Sequence, residues 1–212
     1  MSGGARFITL EGIEGAGKST LAATLATALE VRGQIVRTTR EPGGTALAER
    51  IRDLVLQRDA ETVAPEAETL LMFAARRIHL DNLVRPALAR GEWVICDRFT
   101  DATRAYQGGG RGIDAAWIET LATAVQAGLE PGLTLLLDLP VELGLARAAR
   151  RRGASGARID RFEAETVAFF TRVRARYLEI ARAAPQRVCV IDASATPETV
   201  QRAALAALER LR

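Results

Sequence analysis

Short apolar runs alternate along the chain with longer segments whose apolar positions recur at helical spacing. The runs at residues 6–11, 34–39, 93–96, 133–139 and 187–191 read as strands. Helices are predicted at residues 18–32, 46–57, 65–89, 114–127, 141–152, 160–183 and 197–211. Gly33 ends the first helix, Pro65 suits the start of the third and Asp114 is the expected cap of the fourth. Pro86 predicts a kink near the end of the third. Residues 99–112, polar and glycine-rich, read as a loop too unusual to be a plain connector. Strands that alternate with helices and are apolar throughout predict an α/β fold. It is a doubly wound parallel five-stranded sheet with helices on both faces and right-handed crossovers. No repeat, low-complexity segment or linker interrupts the pattern. The expectation is one domain over residues 1–212, with a flap at roughly residues 147–161.

Between the first strand and first helix lies Gly12-Ile13-Glu14-Gly15-Ala16-Gly17-Lys18-Ser19-Thr20, which fills the spacing G-x-x-x-x-G-K-[ST]. The glycines let backbone N–H groups curl around a phosphate, and the helix that follows turns its positive end to the same anion. Lys18 would reach the β- and γ-phosphates and the Ser19 hydroxyl would hold Mg²⁺. Lys18 is also the only lysine in the chain, every other basic side chain apart from the single histidine being arginine. A compact ammonium with three rotatable donors suits such a cradle better than a planar fork.

Composition narrows the rest. The 212 residues are 48% hydrophobic and 5% aromatic, enough to bury one α/β core. No apolar run approaches the roughly 18 residues of a membrane span, and the start lacks a signal-peptide core, so the expected compartment is the cytoplasm, with no membrane partner. Cys96 and Cys189 sit in apolar runs and read as buried strand thiols; with one histidine, a zinc site is disfavoured. The net charge of +3 is better explained by small anionic substrates than by nucleic acid.

In a doubly wound sheet, ligands sit at the carboxyl ends of the strands. Four loops meet there: the phosphate loop, the Arg40-Glu41-Pro42-Gly43-Gly44 turn, the stretch from Asp97, and the flap. Asp97 ends an apolar strand, the place of a Walker B carboxylate that orients Mg²⁺. Arg98 beside it could clamp a second phosphate bidentately. The flap carries Arg147, Arg150, Arg151, Arg152, Arg158 and Arg161, like charges that repel one another until an anion arrives. A glycine-bearing hinge between helices suits a lid that closes over a transferring phosphoryl group. A guanine-reading N-K-x-D is impossible without a second lysine, which argues against a signalling GTPase. Another nucleotide kinase, acting on UMP, CMP or a deoxynucleoside, stays the enzymatic alternative, and a regulatory nucleotide-binding switch the other.

Four stretches resemble bacterial thymidylate kinases with an arginine-bearing lid: residues 7–20, Thr39-Arg40-Glu41-Pro42-Gly43-Gly44, Cys96-Asp97-Arg98-Phe99, and Ala105-Tyr106-Gln107-Gly108-Gly109-Gly110-Arg111-Gly112. The resemblance implies a P-loop NTPase-type fold and transfer of the γ-phosphoryl group from ATP to dTMP with Mg²⁺, in a homodimer. By this likeness Glu14 lies near the sugar of the acceptor, Arg98 holds its phosphate, Arg76 reads the thymine edge, and Thr103 and Gln107 line the base. Tyr106 crowds C2′ and disfavours ribonucleotides. Arg40, Glu41 and Pro42 border the acceptor, and Asp192 begins the adenine-side loop. Met72 or Phe73 supplies the surface on which thymine stacks. With Ala16 and Glu14 flanking Gly15, the arginine that meets the transferred phosphoryl comes from the lid: Arg152, then Arg147 or Arg158.

Overall fold

The computed structural model describes residues 3–57, 61–155 and 161–211. Five strands form one parallel sheet: β1 (Phe7–Glu11), β2 (Val36–Arg40), β3 (Trp93–Asp97), β4 (Leu133–Asp138) and β5 (Val188–Asp192), in the spatial order β2-β3-β1-β4-β5. β1 is buried at every residue and β4 at all but its last, as strands covered on both faces must be. β2 lies at an edge, which is why its Val-Arg-Thr-Thr-Arg sequence is tolerated. The register pairs Leu10 with Asp97, Arg40 with Asp97 and Asp138 with Asp192, so the carboxyl ends of the strands sit level. The chain winds to β2 and back on one side of β1, then out to β4 and β5 on the other.

The helices are α1 (Lys18–Glu30), α2 (Ala46–Leu56), α3 (Pro65–His79), α4 (Arg85–Ala89), α5 (Thr100–Thr103), α6 (Ala115–Gln126), α7 (Val141–Ser155), α8 (Val167–Ala183) and α9 (Pro197–Leu208). Asp114 caps α6 as expected, its side chain accepting from the Ala116 N–H at 2.8 Å. The largest apolar cluster joins Leu10, Leu25, Leu135, Phe170 and Val173, and a second one packs Phe7 on Phe99.

Two expectations are corrected. Residues 99–112 are not a loop: α5 continues as a π-helical segment, Arg104–Gly110, with Tyr106 and Gln107 buried. The glycines there serve contact, since a Cβ on Gly110 would run into the Phe169 ring and one on Gly109 would meet Arg176 Cβ at 2.7 Å. At Pro86 the helical path runs on to Ala89 as predicted, through one π turn, Leu80–Val84, that widens the backbone ahead of the proline. The long helix predicted from residue 160 begins at Val167 instead, where the Thr166 hydroxyl accepts from the Phe169 N–H at 3.2 Å. Two smaller departures follow. Gly153-Ala154-Ser155 complete α7 rather than forming a flexible insert, and Cys189 is half-buried where Cys96 is fully buried. Arg158 and Gly156-Ala157 lie outside the described residues.

Candidate active site

The phosphate loop curls back on itself over β1. Gly15 has φ +74°, and a Cβ there would strike the Gly144 carbonyl of α7. Gly17, at φ +93°, turns the chain into α1. Lys18 Nζ folds inward and donates to the carbonyls of Gly12 (3.0 Å) and Ile13 (3.1 Å). Burial, helped by the nearby charge of Arg98, pushes the Lys18 ammonium down to about 8. An incoming polyphosphate would reverse that balance. Ser19 Oγ donates to Asp97 Oδ2 at 3.3 Å, so a hydroxyl and a carboxylate converge beside the loop.

Arg98 follows β3 with φ +73°, a left-handed conformation that costs a non-glycine residue about 1–2 kcal/mol. It is held there from several sides. Its N–H donates to the Leu10 carbonyl at 2.9 Å, and its Nη2 donates to Glu14 Oε1 at 2.8 Å. Its guanidinium lies 4.6 Å over the Tyr106 ring. The Tyr106 hydroxyl donates to both Glu14 oxygens, at 2.8 and 3.0 Å; burial raises its pKa well above the usual phenol range, so it stays a donor. Behind Arg98, Glu11 accepts from the Phe99 N–H and the Tyr177 hydroxyl, both at 2.7 Å. Burial, reinforced by Asp101, pushes the Glu11 carboxyl up to about 7.

Across the crevice, Arg76 is 3% exposed. Its Nε donates to Glu41 Oε2 at 2.7 Å and its Nη2 to Thr103 Oγ1 at 3.0 Å, between the rings of Phe73 and Phe99. Its Nη1 is buried without a hydrogen-bond partner among the described residues. Gln107 Nε2 donates to Glu68 Oε1 at 2.8 Å, and Glu68 also takes Arg161 and Arg111.

One cavity of about 440 Å³, within the size range of small-molecule sites, connects these groups. Its walls include Glu14, Gly15, Gly17, Lys18, Ser19, Thr20, Arg40, Glu41, Pro42, Met72, Arg76, Asp97, Arg98, Thr103, Tyr106 and Gln107. Gly12, Ile13 and Ala16 instead form the buried underside of the loop. Between the two candidates for the stacking surface, Met72 faces the cavity while Phe73 is turned into a core cluster with Ile118 and Ala122. Arg151 lines the cavity and Arg152 does not; Arg152 pairs with Glu163 at 3.1 Å. Arg147 is drawn off to the Ala193 carbonyl at 2.7 Å. Asp192 stands apart, its carboxylate accepting from the Ser194 N–H and hydroxyl.

The chain belongs to the thymidylate kinase family. The family model described as thymidylate kinase matches residues 10–204. The chain is 58% identical over 196 residues to a thymidylate kinase of Pseudomonas putida (strain GB-1), covering 92% of this chain and 91% of that one. It is 55% identical over 198 residues to a thymidylate kinase of Methylococcus capsulatus (strain Bath), covering 93% and 92%. The crystal structure of a thymidylate kinase from Ehrlichia chaffeensis superposes with a TM-score of 0.75 at 34% identity, over 96% of this chain and 97% of that one. The five-stranded parallel sheet with its phosphate loop is thus the P-loop NTPase fold of this kinase family.

Several residues of this family member escape a reading of motifs. Arg52 and Phe162 line the cavity, and Glu68 and Glu163 hold flap arginines. The Arg52 Nη1 donates to the Pro42 carbonyl at 2.8 Å. A signal existed for one set: Glu68, Met72, Arg76 and His79 are spaced four, four and three apart and so share one face of α3. Among the described residues, Glu41, His79 and Cys96 bring ligand-type atoms within 4.8 Å of one another. Both Glu41 oxygens and both His79 nitrogens already hold hydrogen bonds there, and Arg76 supplies the balancing charge. The trio is a hydrogen-bonded network, not a candidate metal centre.

Proposed function

We propose that this chain transfers the γ-phosphoryl group of ATP to dTMP. The observation that carries the reading is that one cavity is lined both by the Lys18 loop and by Arg76, whose buried Nη1 has no hydrogen-bond partner among the described residues. A donor left over in a buried wall calls for a carbonyl acceptor from a ligand, and a thymine edge offers one. The acceptor phosphate then falls to Arg98 and its sugar to Glu14 and Tyr106, while Met72 lies against the base.

The nucleophile is a phosphate oxygen, ionised at neutral pH, so no strong base is needed. The obstacle is repulsion between two polyanions, which Lys18, Arg98 and Arg151 offset by charge while the cavity sets the line of attack. Ser19 and Asp97, already paired at 3.3 Å, are a donor set suited to Mg²⁺, which supplies further neutralisation of the phosphates when bound. The flap, roughly residues 147–161, acts as the lid of a single nucleoside monophosphate kinase domain, and Asp192 belongs to the donor-base side.

The same reading assigns a cytoplasmic homodimer. No helix among the described residues is long and apolar enough to cross a membrane. Leu47 and Leu54 of α2 and Leu70 of α3 are each at least half exposed, apolar surface that a second copy would cover. Sedimentation should give twice the chain mass; a monomer at micromolar concentration removes that assignment. The test of the activity is a phosphotransfer assay with ATP and Mg²⁺ against dTMP, dUMP, dCMP and UMP. dTMP should lead the panel. ATP consumption with no gain of phosphate on any pyrimidine monophosphate would overturn the proposal.

A further inference from the structure

We propose that His79 is a positioning residue which, through Glu41, holds the Arg76 guanidinium where its Nη1 meets the carbonyl edge of the acceptor base. The proposal rests on the reading of Arg76 given above.

His79 closes α3 and is fully buried, one helical turn beyond Arg76. Its Nδ1 lies 2.9 Å from Glu41 Oε1, and its Nε2 lies 2.8 Å from Thr39 Oγ1. A carboxylate only accepts, so Nδ1 carries the hydrogen and donates. The other Glu41 oxygen takes Arg76 Nε at 2.7 Å. The order is therefore Thr39, His79, Glu41, Arg76, each link a short polar contact between buried or half-buried groups. Arg76 is pinned at Nε and Nη2, and the rings of Phe73 and Phe99 lie about 5 Å from its centre. A planar fork fixed at two nitrogens has one direction left for the third.

His79 decides whether that fork is fixed at all. A buried carboxylate with one oxygen unsatisfied swings towards any other donor, and Arg76 would swing with it. Burial alone would raise the Glu41 carboxyl; the Arg76 charge and the His79 hydrogen bond outweigh it and hold it below the ordinary range. The Arg-Glu-Pro-Gly-Gly turn is shaped around the ring. Gly44 has φ +82°, and a Cβ there would lie 2.7 Å from His79 Cδ2 and Nε2. The turn thus supplies both the carboxylate and the room for its donor.

The consequence is base selectivity. At C4 a thymine carries a carbonyl and a cytosine an amino group, so a well-aimed donor favours dTMP over dCMP and a loose one discriminates less.

The test is steady-state kinetics of the full chain with dTMP or dCMP as acceptor and ATP as donor. His79→Leu should raise the KM for dTMP and shrink the dTMP-to-dCMP ratio of kcat/KM by about tenfold, as expected for a misplaced hydrogen bond, with the KM for ATP unchanged. His79→Asn sets an amide nitrogen where Nδ1 was and should restore the ratio to within about threefold. His79→Gln reaches the Nε2 position only, should fold, and should behave like His79→Leu; it carries the test if the leucine variant does not fold. Arg76→Met is the control. A ratio that collapses in Arg76→Met but survives in the leucine and glutamine variants overturns the proposal. So does an equal loss on both acceptors in all three His79 variants, the mark of a merely structural role. A ratio that survives Arg76→Met overturns the reading of Arg76 beneath it.

Discussion

Two sets of arginines face the same cavity and are held by opposite means. On the floor, Arg76 is 3% exposed and tied to Glu41, Thr103 and two aromatic rings, and Arg98 is locked between Glu14 and Tyr106. On the flap, Arg151 has a side chain 66% exposed and stands 4.0 Å from Glu163. Breaking a buried pair strands a charge and costs about 3–5 kcal/mol, whereas an exposed pair is worth about 0–1 kcal/mol. The floor arginines are therefore costly to move, whereas Arg151 exchanges partners at little cost. Recognition belongs where exchange is expensive. A group that must arrive with the second substrate belongs where it is cheap.

The largest loss is expected at Lys18, which both sets of arginines serve. Lys18→Ala should lower kcat by at least about a hundredfold, the scale of a lost charge clamp, while the melting temperature stays near that of the wild type. Normal turnover in that variant would remove the phosphate loop from the chemistry. The floor and flap then separate by kind of defect. Arg98→Ala should cut kcat/KM for dTMP about a hundredfold, mainly through weaker acceptor binding, whereas Arg151→Ala should reduce kcat about tenfold with the dTMP dissociation constant unchanged. Equal binding defects in the two variants would mean that floor and flap arginines serve the acceptor alike.

Glu11 sharpens the account of the floor. Its carboxyl is raised from 4.5 to about 7, so between those values the folded chain binds more protons than the unfolded one. Its contribution to stability is therefore complete at acid pH and is lost as pH rises through 7. Glu11→Gln should flatten the stability profile between pH 4.5 and 7 and stabilise the fold at pH 8 by on the order of 1 kcal/mol, measured by denaturant melts at each pH. A variant less stable at pH 8 would mean that the bonds from Phe99 and Tyr177 need the charge. The smallest effect is expected at Tyr106, where alanine should narrow the preference for dTMP over its ribonucleotide about threefold to tenfold. An unchanged ratio would assign the ring to packing alone, since it also meets Phe162, Phe169 and Phe170 edge-on.

Much of the fold is legible in the chain because its signals are short-range. The five strands, the Asp114 cap and the glycine-rich loop each depend on residues within one turn or one strand of one another. The errors have a common source. Residues 99–112 look like a loop because glycine and polar residues punctuate them, yet the glycines are spaces for Phe169 and Arg176 of a helix some sixty residues on. Asp160 looks like a helix start, but Thr166 captures the Phe169 N–H.

The signals of the phosphate cradle are nearly all local: glycines that accept positive φ, an ammonium that reaches back to its own loop carbonyls, and a helix end behind them. Its chemistry could therefore be written down from the order of amino acids. Which of two adjacent arginines faces the cavity could not, because neighbours on a helix point about 100° apart and the packing of α7 in the fold fixes its rotation. Whether Met72 or Phe73 faces the cavity is undecided in the sequence for the same reason, and packing on Ile118 and Ala122 turns the phenylalanine away. Glu41, His79 and Arg76 likewise come from a turn and a helix 35 residues apart, and their mutual hydrogen bonds exist only once α3 is packed on the sheet. Long-range pairing of this kind leaves no local trace, since each partner taken alone is an ordinary polar residue.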